Sequence, residues 1–183
     1  MVLNIKGIFM VTKSEPGYLR LSVPLLLPFI VCILVPFLLY SFFEVPLSGI
    51  QGLPQYLQVA VGVILIAIGF VGFLWTILLF ARIGKGTLAP WDPTKKLVVA
   101  GPYAHVRNPM ITSLIGVLVG EALLLSSWSI LAWAVIAFMV NHIYFIFSEE
   151  PGLAIRFGEE YETYKKNVPR WLPRITPWRP TDK

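Results

Sequence analysis

The chain has 183 residues, of which 56% are hydrophobic and only 14% are charged, and its net charge is +5. Soluble domains carry about 25% charged residues, whereas between Arg20 and Arg82 the only charged residue is Glu44. This composition excludes a soluble dinucleotide-binding domain, a disulfide-linked secreted scaffold and a disordered regulator. It predicts an all-α integral membrane protein, with residues 1–183 forming a single membrane domain.

Four apolar stretches are long enough to cross a hydrocarbon core of about 30 Å, which takes about 20 helical residues. They cover approximately residues 21–43, 55–80, 109–126 and 128–147. Residues 1–20 precede them and are expected to lie in the cytoplasm or at the membrane interface. Because so few residues separate the last two stretches, these are expected to form an antiparallel helical hairpin with a tight turn.

The basic residues lie on one side of the four predicted spans. All 15 Lys and Arg residues precede span one, lie between spans two and three, or follow span four. Since Lys and Arg near membrane spans stay in the cytoplasm, both termini are expected to be cytoplasmic. The positive charge then reflects membrane orientation, and no nucleic-acid partner is expected. The short chain favours a prokaryotic inner membrane.

The polar residues concentrate at the cytoplasmic end of the predicted hairpin. A tight turn brings Glu149 and Glu150 level with Arg107 and Asn108. Ionisable groups that meet at the edge of a membrane are candidates for function. The alternative is that these side chains only extend toward water from the helix ends. His142 lies about two turns deeper, where it lines a substrate cavity or makes a packing hydrogen bond between helices.

Two further segments combine unusual residues. Residues 97–110 read LVVAGPYAHVRNPM, in which Gly101 and Pro102 form a turn and free amides at the helix start suit an anionic group. After Glu150, an apolar stripe predicts one amphipathic helix on the membrane surface, formed by Leu153, Phe157, Tyr161 and Tyr164. Beyond it, an aromatic and basic tail is expected at headgroup level, as a lid over the polar pocket.

Metal and nucleotide-loop chemistry is not expected. The two histidines and the single cysteine are scattered along the chain, so no metal-ligand spacing exists. Neither G-x-x-x-x-G-K-[ST] nor G-x-G-x-x-G occurs.

The motifs resemble those of an integral membrane methyltransferase family. It includes isoprenylcysteine carboxyl methyltransferases and, more distantly, phospholipid N-methyltransferases. The resemblance covers roughly residues 86–173, in the order GTLAPWDP, LVVAGPY, VRNPM, Glu149 with Glu150, FGEEYETY and VPRWLP. Residues 21–80, the two spanning helices predicted from hydropathy, share only hydrophobicity with the family. Residues 81–183 are then expected to be the cofactor-binding, catalytic half. The implied cofactor is S-adenosylmethionine, bound without a Rossmann fold under the C-terminal segment.

The resemblance also implies roles for single residues. Arg107 is similar to the arginine of the family's Arg-His-Pro signature, with Asn108, which cannot be protonated, in place of the histidine. The residues expected to bind the cofactor are Lys96, Leu97, Val98, Tyr103, Asn108, Pro109, Met110, Ile111 and Glu149. The catalytic candidates are Arg107 and Glu150, with Glu150 or His142 as the proton acceptor. The substrate-binding candidates are His142 and Phe145.

The expected activity is methyl transfer from S-adenosylmethionine to a lipophilic acceptor embedded in the membrane. Isoprenylcysteine methyltransferases place an arginine for the substrate carboxylate near Phe145, and this chain has no Lys or Arg between Arg107 and Arg156. The acceptor group therefore stays open between a carboxylate and a lipid amine, thiol or hydroxyl. The expected partners are a lipophilic or lipid-modified acceptor and membrane lipid. Two alternatives stay open: an NADPH-dependent reductase similar to membrane sterol reductases, and a non-enzymatic lipid-binding scaffold.

Overall fold

The computed structural model describes residues 26–43, 54–84 and 96–180. Within these ranges the chain forms helices joined by turns, with no β-strand, as the composition predicts. The expected interfacial segment 1–20 and the GTLAPWDP motif at residues 86–93 lie outside the described residues.

Four apolar helices form most of the described chain. They are α1 (Leu26–Phe42), α2 (Gln55–Leu79), α3 (Pro109–Leu124) and α4 (Trp128–Tyr144). These bounds confirm the four helices predicted from hydropathy. By length and composition, α2 and the continuous helix Trp128–Phe157 are able to cross a membrane, whereas α1 and α3 are shorter.

Local sequence explains the tight turn between α3 and α4. Ser127 caps α4, because its Oγ accepts a hydrogen bond from Ile130 N. The preceding residue, Ser126, has a positive φ of 51°. Its Oγ accepts a hydrogen bond from Gln58 Nε2 at 2.8 Å. The predicted hairpin is therefore present, and α2 helps to hold its turn.

The backbones of α2 and α3 are in contact where glycines face each other. A Cβ added to Gly62 would lie 2.8 Å from Gly120 O, and one added to Gly120 would lie 2.7 Å from Gly62 O. A Cβ on Gly69 would lie 2.6 Å from Ser113 O. Small residues permit this close approach between membrane helices. The contact fixes α3, and with it the loop that precedes α3, against α2.

α1 packs where α3 and α4 meet. The buried cluster there is formed by Cys32, Leu118, Ala134 and Ala137. Trp133 Nε1 donates a hydrogen bond to Val31 O at 2.9 Å. Val31 and Cys32 lie in a π-helical turn of α1, Ile30–Leu34. The bond and the shared cluster attach α1 to the hairpin.

The helix that begins at Trp128 does not end near residue 147 as predicted. It continues through a π-helical turn, Phe145–Glu149, into α5 (Glu150–Phe157), which gives a helix of 30 residues. Gly158, with a φ of 54°, then separates α5 from α6 (Glu159–Asn167). The prediction of one amphipathic helix after Glu150 is therefore wrong, because a left-handed glycine divides it into two.

The predicted apolar stripe is the buried face of α5 and α6. Tyr161, Tyr164, Val168 and Trp178 form a second cluster, against which Leu97, Val99, Leu153 and Phe157 pack. The stripe is therefore covered by the loop and the C-terminal tail of the same chain. This second cluster supports the polar residues at the open end of the hairpin.

Candidate active site at the open end of the hairpin

The loop before α3 is shaped by Gly101 and Pro102. Gly101 has a φ of 59° and begins a 3-10 turn, Gly101–Ala104, in which Pro102 supplies a fixed φ. A Cβ on Gly101 would lie 3.0 Å from the Leu79 side chain, so the turn rests on the end of α2. Tyr103 is consequently buried, and its carbonyl oxygen accepts a hydrogen bond from Tyr164 OH at 2.8 Å.

The C-terminal segment Val168–Trp178, which we call the strap, runs along this loop. Three backbone hydrogen bonds join the two segments: Arg107 N to Pro169 O at 2.9 Å, Arg174 N to His105 O at 3.0 Å, and Trp178 N to Ala104 O at 2.9 Å. His105 Nδ1 also lies 2.8 Å from Arg174 O. The strap is thus bound along its length to the loop that leads into α3.

Glu150 is a buried carboxylate surrounded by three cations. Arg170 of the strap donates to both of its oxygens, from Nε to Oε1 at 2.6 Å and from Nη2 to Oε2 at 3.0 Å. Arg107 Nη1 lies 3.0 Å from Oε1, and Lys165 Nζ lies 3.9 Å from Oε2. The predicted meeting of Arg107 and Glu150 at the open end of the hairpin is confirmed. One carboxylate ties the α3 loop, α6 and the strap to the end of the long helix.

The surroundings of Glu150 set its charge state. Crossing a hydrocarbon core takes roughly 20 helical residues. Counted from Trp128, these residues end before Glu150, so Glu150 lies outside the predicted span. Burial raises its pKa, but the hydrogen bonds from Arg170 and the charges of Arg107, Arg170 and Lys165 together lower the pKa below the ordinary value. The same hydrogen bond raises the pKa of Arg170. A carboxylate in this setting stays ionised and holds the three segments together. The predicted role of Glu150 as proton acceptor stays a prediction.

Glu149 has a different environment from its neighbour. It is half-buried and accepts a hydrogen bond from Tyr144 OH at 3.3 Å. Within the described ranges it forms no ion pair. Burial raises the pKa of Tyr103 well above 10, and the charges of Tyr164 and Glu149 raise it further. Tyr103 and Glu149, both predicted to bind the cofactor, therefore lie within electrostatic range of each other.

Two buried donors just before α3 lack a partner among the described residues. They are Arg107 Nε and Asn108 Nδ2. Asn108 is 8% exposed and immediately precedes α3, but its side chain does not cap the helix. The amides of Met110 and Ile111 belong to the first turn, where helix geometry supplies no intrahelical partner. Buried donors without acceptors cost free energy, so this helix start suits an acceptor group such as a ligand carboxylate.

The predicted substrate-binding residues, His142 and Phe145, contact the strap through Trp171. Trp171 Nε1 donates to His142 Nδ1 at 2.9 Å. Its ring centroid lies 5.0 Å from that of Phe138 and 5.8 Å from that of Phe145. Because Nδ1 accepts this bond, a neutral His142 carries its proton on Nε2. We call these four residues the aromatic cluster.

Most of the other residues predicted to bind the cofactor are packed within the protein. Val98 is buried, and Leu97 packs against the second cluster. Lys96 is exposed at the beginning of the described loop. Pro109 occupies the first turn of α3.

A cavity of about 730 Å³ lies between the loop, the strap and the end of α2. Trp75, Gly101, His105 and Trp178 are among the described residues that line it, and none of the predicted cofactor-binding residues is. We therefore distinguish this cavity from the candidate site, whose polar groups are those around Glu149 and Asn108.

Sequence reasoning did not assign Arg170 or Trp171 to the site. Both lie in the VPRWLP motif, where an arginine and a tryptophan stand among prolines and aliphatic residues. Arg170 is the basic residue of that motif, and it was the signal in the sequence for a buried ion pair. An arginine among apolar neighbours needs a counter-charge when it is buried.

A family model described as phospholipid methyltransferase matches residues 57–160, more than half of the chain. The chain belongs to the phospholipid methyltransferase family. The matched region contains Arg107, Asn108, Glu149 and Glu150 and ends before the strap. A comparison with individually curated proteins gives no match. Membership confirms the resemblance seen in the sequence and implies a membrane methyltransferase, a class that generally uses S-adenosylmethionine.

Proposed function

We propose that the protein transfers a methyl group from S-adenosylmethionine to a lipophilic acceptor that enters from the bilayer. The observation that carries the proposal is the pair of unpartnered buried donors, Arg107 Nε and Asn108 Nδ2, at the end of the hairpin where Arg107 pairs with Glu150, the neighbour of the half-buried Glu149. S-adenosylmethionine has groups of both matching kinds: a carboxylate that accepts hydrogen bonds, and an ammonium and hydroxyls that donate them.

In this proposal the start of α3 binds the carboxylate of the cofactor. Asn108 Nδ2, Arg107 Nε and the amides of Met110 and Ile111 are the donors, and the positive end of the helix dipole adds to them. Glu149 accepts from the ammonium or the ribose. Bound there, S-adenosylmethionine supplies a methyl group on a positively charged sulfur, which needs little further activation. The chain itself contributes alignment of the acceptor with that methyl group and exclusion of water.

The aromatic cluster is the proposed site for the acceptor. Phe138, Phe145 and Trp171 offer ring surfaces to an apolar chain. His142 uses Nδ1 to accept the hydrogen bond from Trp171, which leaves Nε2 and its proton for the acceptor. A donor at this position orients the methyl acceptor by a hydrogen bond.

The proposed topology has four membrane spans, α1 to α4, and cytoplasmic termini. The apolar helices and the one-sided distribution of basic residues support it. α3 has 16 residues, about 24 Å of helix, so local thinning of the bilayer or its polar flanks must accommodate it. The ion cluster around Glu150 then lies at the cytoplasmic surface, where water-soluble S-adenosylmethionine is available.

Thermal unfolding of the detergent-purified protein tests the cofactor. A ligand at 100 times its Kd stabilises the folded state by about 2.7 kcal/mol. We expect S-adenosylmethionine to raise the unfolding midpoint of the wild type and of Glu162→Ala, an exposed control on α6, but not of Glu149→Ala. Transfer of radiolabelled methyl from the cofactor into a membrane-lipid extract should follow the same pattern.

Other outcomes of this experiment discriminate the alternatives. Stabilisation by NADPH without any effect of S-adenosylmethionine would identify a reductase. No effect of either ligand would favour the lipid-binding scaffold. Normal methyl transfer by Glu149→Ala would remove Glu149 from the site.

A further inference from the structure

The strap carries two apolar side chains that the described chain leaves uncovered. Leu172 is 81% exposed and Ile175 is 97% exposed. The strap is not a loose tail, because backbone hydrogen bonds to the α3 loop hold it on either side of these residues. Arg170 and Trp171 hold it further through Glu150 and His142. The exposure of Leu172 and Ile175 is therefore imposed by a fixed backbone.

Trp171 places this part of the strap beside the apolar portion of the long helix. Its ring contacts Phe138, His142 and Phe145. These positions precede Glu149 by roughly one to three helical turns, or about 6 to 16 Å along the helix axis. The side chain of Trp171 therefore reaches below the level of the ion cluster, and Leu172 is the next residue of the strap.

The long helix also carries exposed apolar side chains at similar positions along its axis. Phe147 is 77% exposed, and Ile143 and Val140 are also exposed. In the proposed topology these side chains face lipid acyl chains. Leu172 and Ile175 present the same kind of apolar surface on the strap. Lys166 and Arg174, which lie before and between them, provide positive charge of the sign that the cytoplasmic leaflet attracts.

From this fixed exposure, the depth of the Trp171 side chain and the exposed apolar side chains at similar positions on the long helix, we propose that the strap inserts into the cytoplasmic leaflet, with Leu172 and Ile175 among lipid acyl chains. The inference rests on the topology given under the proposed function. It places the strap at the edge of the bilayer, next to the aromatic cluster. A bilayer-dissolved acceptor then reaches His142 and Phe145 along an apolar surface without crossing water.

Spin labels test this inference cleanly, because the chain has a single cysteine. In a Cys32→Ser background, nitroxides are attached at Leu172→Cys and Ile175→Cys. Val140→Cys on the exposed face of α4 is the lipid control, and Lys166→Cys on α6 is the water control. Each variant of the full chain is reconstituted into vesicles of phosphatidylcholine and phosphatidylglycerol. Power saturation then compares collision with oxygen, which concentrates in lipid, and with a water-soluble nickel chelate.

We expect the oxygen-to-nickel ratio at positions 172 and 175 to be severalfold higher than at 166 and to approach the ratio at 140. Ratios equal to that at 166 would overturn the inference while leaving the topology intact. Low access to both reagents with dipolar broadening would also overturn it, because a second copy of the chain would then cover the strap. A water-like ratio at 140 would instead reject the topology, and with it the inference.

Discussion

Arg107 and Glu150 meet across the open end of a helical hairpin, with Nη1 3.0 Å from Oε1, although both helices of that hairpin lie between them in the chain. Arg170 of the strap donates to both oxygens of the same carboxylate. The contact therefore adds a buried ion cluster to the backbone hydrogen bonds and the Trp171–His142 bond that also join these segments. The proposed cofactor donors lie on one of these segments and Glu149 on another.

Replacing Glu150 by Gln should lower the free energy of unfolding by about 3 kcal/mol, because removing one partner of a buried ion pair leaves the other charges uncompensated. Chemical unfolding in detergent measures the change. Glu149→Gln is the matched control, since Glu149 loses only a hydrogen bond from Tyr144. Its expected cost is about 1 kcal/mol or less. Equal effects of the two substitutions would contradict the assignment of Glu150 as the junction.

The same carboxylate predicts how stability depends on pH. The pKa of Glu150 is lower in the folded protein than its ordinary value of 4.5. The ion cluster therefore contributes its full stability above pH 4.5 and loses it as pH falls through the folded pKa. The difference in unfolding midpoint between the wild type and Glu150→Gln should shrink as the pH is lowered below 4.5. A difference that grows on acidification would show that the pKa of Glu150 is raised instead.

Asn108→Leu should weaken binding of S-adenosylmethionine about tenfold without unfolding the protein. The substitution removes the unpartnered donor Nδ2, and a hydrogen bond to a charged acceptor contributes about 1.5 kcal/mol. Isothermal titration of the purified protein measures the affinity. Asn167→Leu is the control, because within the described part of the chain its exposed side-chain amide bonds only to Thr163 O in its own helix. Unchanged affinity in Asn108→Leu would exclude this residue from the cofactor site.

The two histidines of the chain should have opposite tautomers when both are neutral. His105 Nδ1 faces Arg174 O, which can only accept, so His105 carries its proton on Nδ1. His142 Nδ1 accepts from Trp171, so His142 carries its proton on Nε2. Nitrogen chemical shifts of selectively labelled histidine distinguish these forms. In Trp171→Phe, the His142 signals should move toward a mixture of tautomers while those of His105 stay unchanged. A wild-type His142 with its proton on Nδ1 would contradict the bond to Trp171.

Gly120→Ala should destabilise the protein by about 1 to 3 kcal/mol, as overpacking does. The new Cβ would lie 2.7 Å from Gly62 O, in the contact between α2 and α3. Gly116→Ala tests the same helix with the same chemical change, and a Cβ there has nothing within 4 Å. We expect that control to be neutral or to stabilise the helix slightly, since alanine favours helix over glycine. Thermal unfolding in one detergent compares the two variants, and equal midpoints would show that the helices are not in such close contact.

The parts of the fold that depend on local sequence could be predicted. Hydropathy located the four apolar helices, because long apolar runs differ sharply from the loops around them. The meeting of Arg107 and Glu150 followed from hairpin geometry, since a tight turn fixes which positions lie at equal depth. The division at Gly158 was missed, because an apolar stripe with helical spacing looks the same on one helix or on two.

The contacts of the strap could not be predicted from sequence. The bond between Trp171 and His142 joins an irregular segment to a helix, and no periodicity relates the two. Likewise, Gly62 stands in an apolar helix where nothing in the sequence distinguishes a glycine that contacts another helix from one that does not. The sequence placed Arg170 near the membrane surface but not on Glu150, because its partner depends on the path of an extended chain.

The π-helical turn Phe145–Glu149 changes the direction in which side chains project from the long helix. A π-helical turn contains an extra residue, which rotates everything after it by about 100° relative to an uninterrupted α-helix. The outward face of α4 ends near the exposed Phe147, whereas Glu150 points inward and is buried. The long helix therefore has an exposed apolar face along α4 and a buried carboxylate at Glu150. The π-helical turn is a step in the direction of its side chains between the two. A heptad or 3.6-residue pattern traced across that step would assign the wrong face to Glu150.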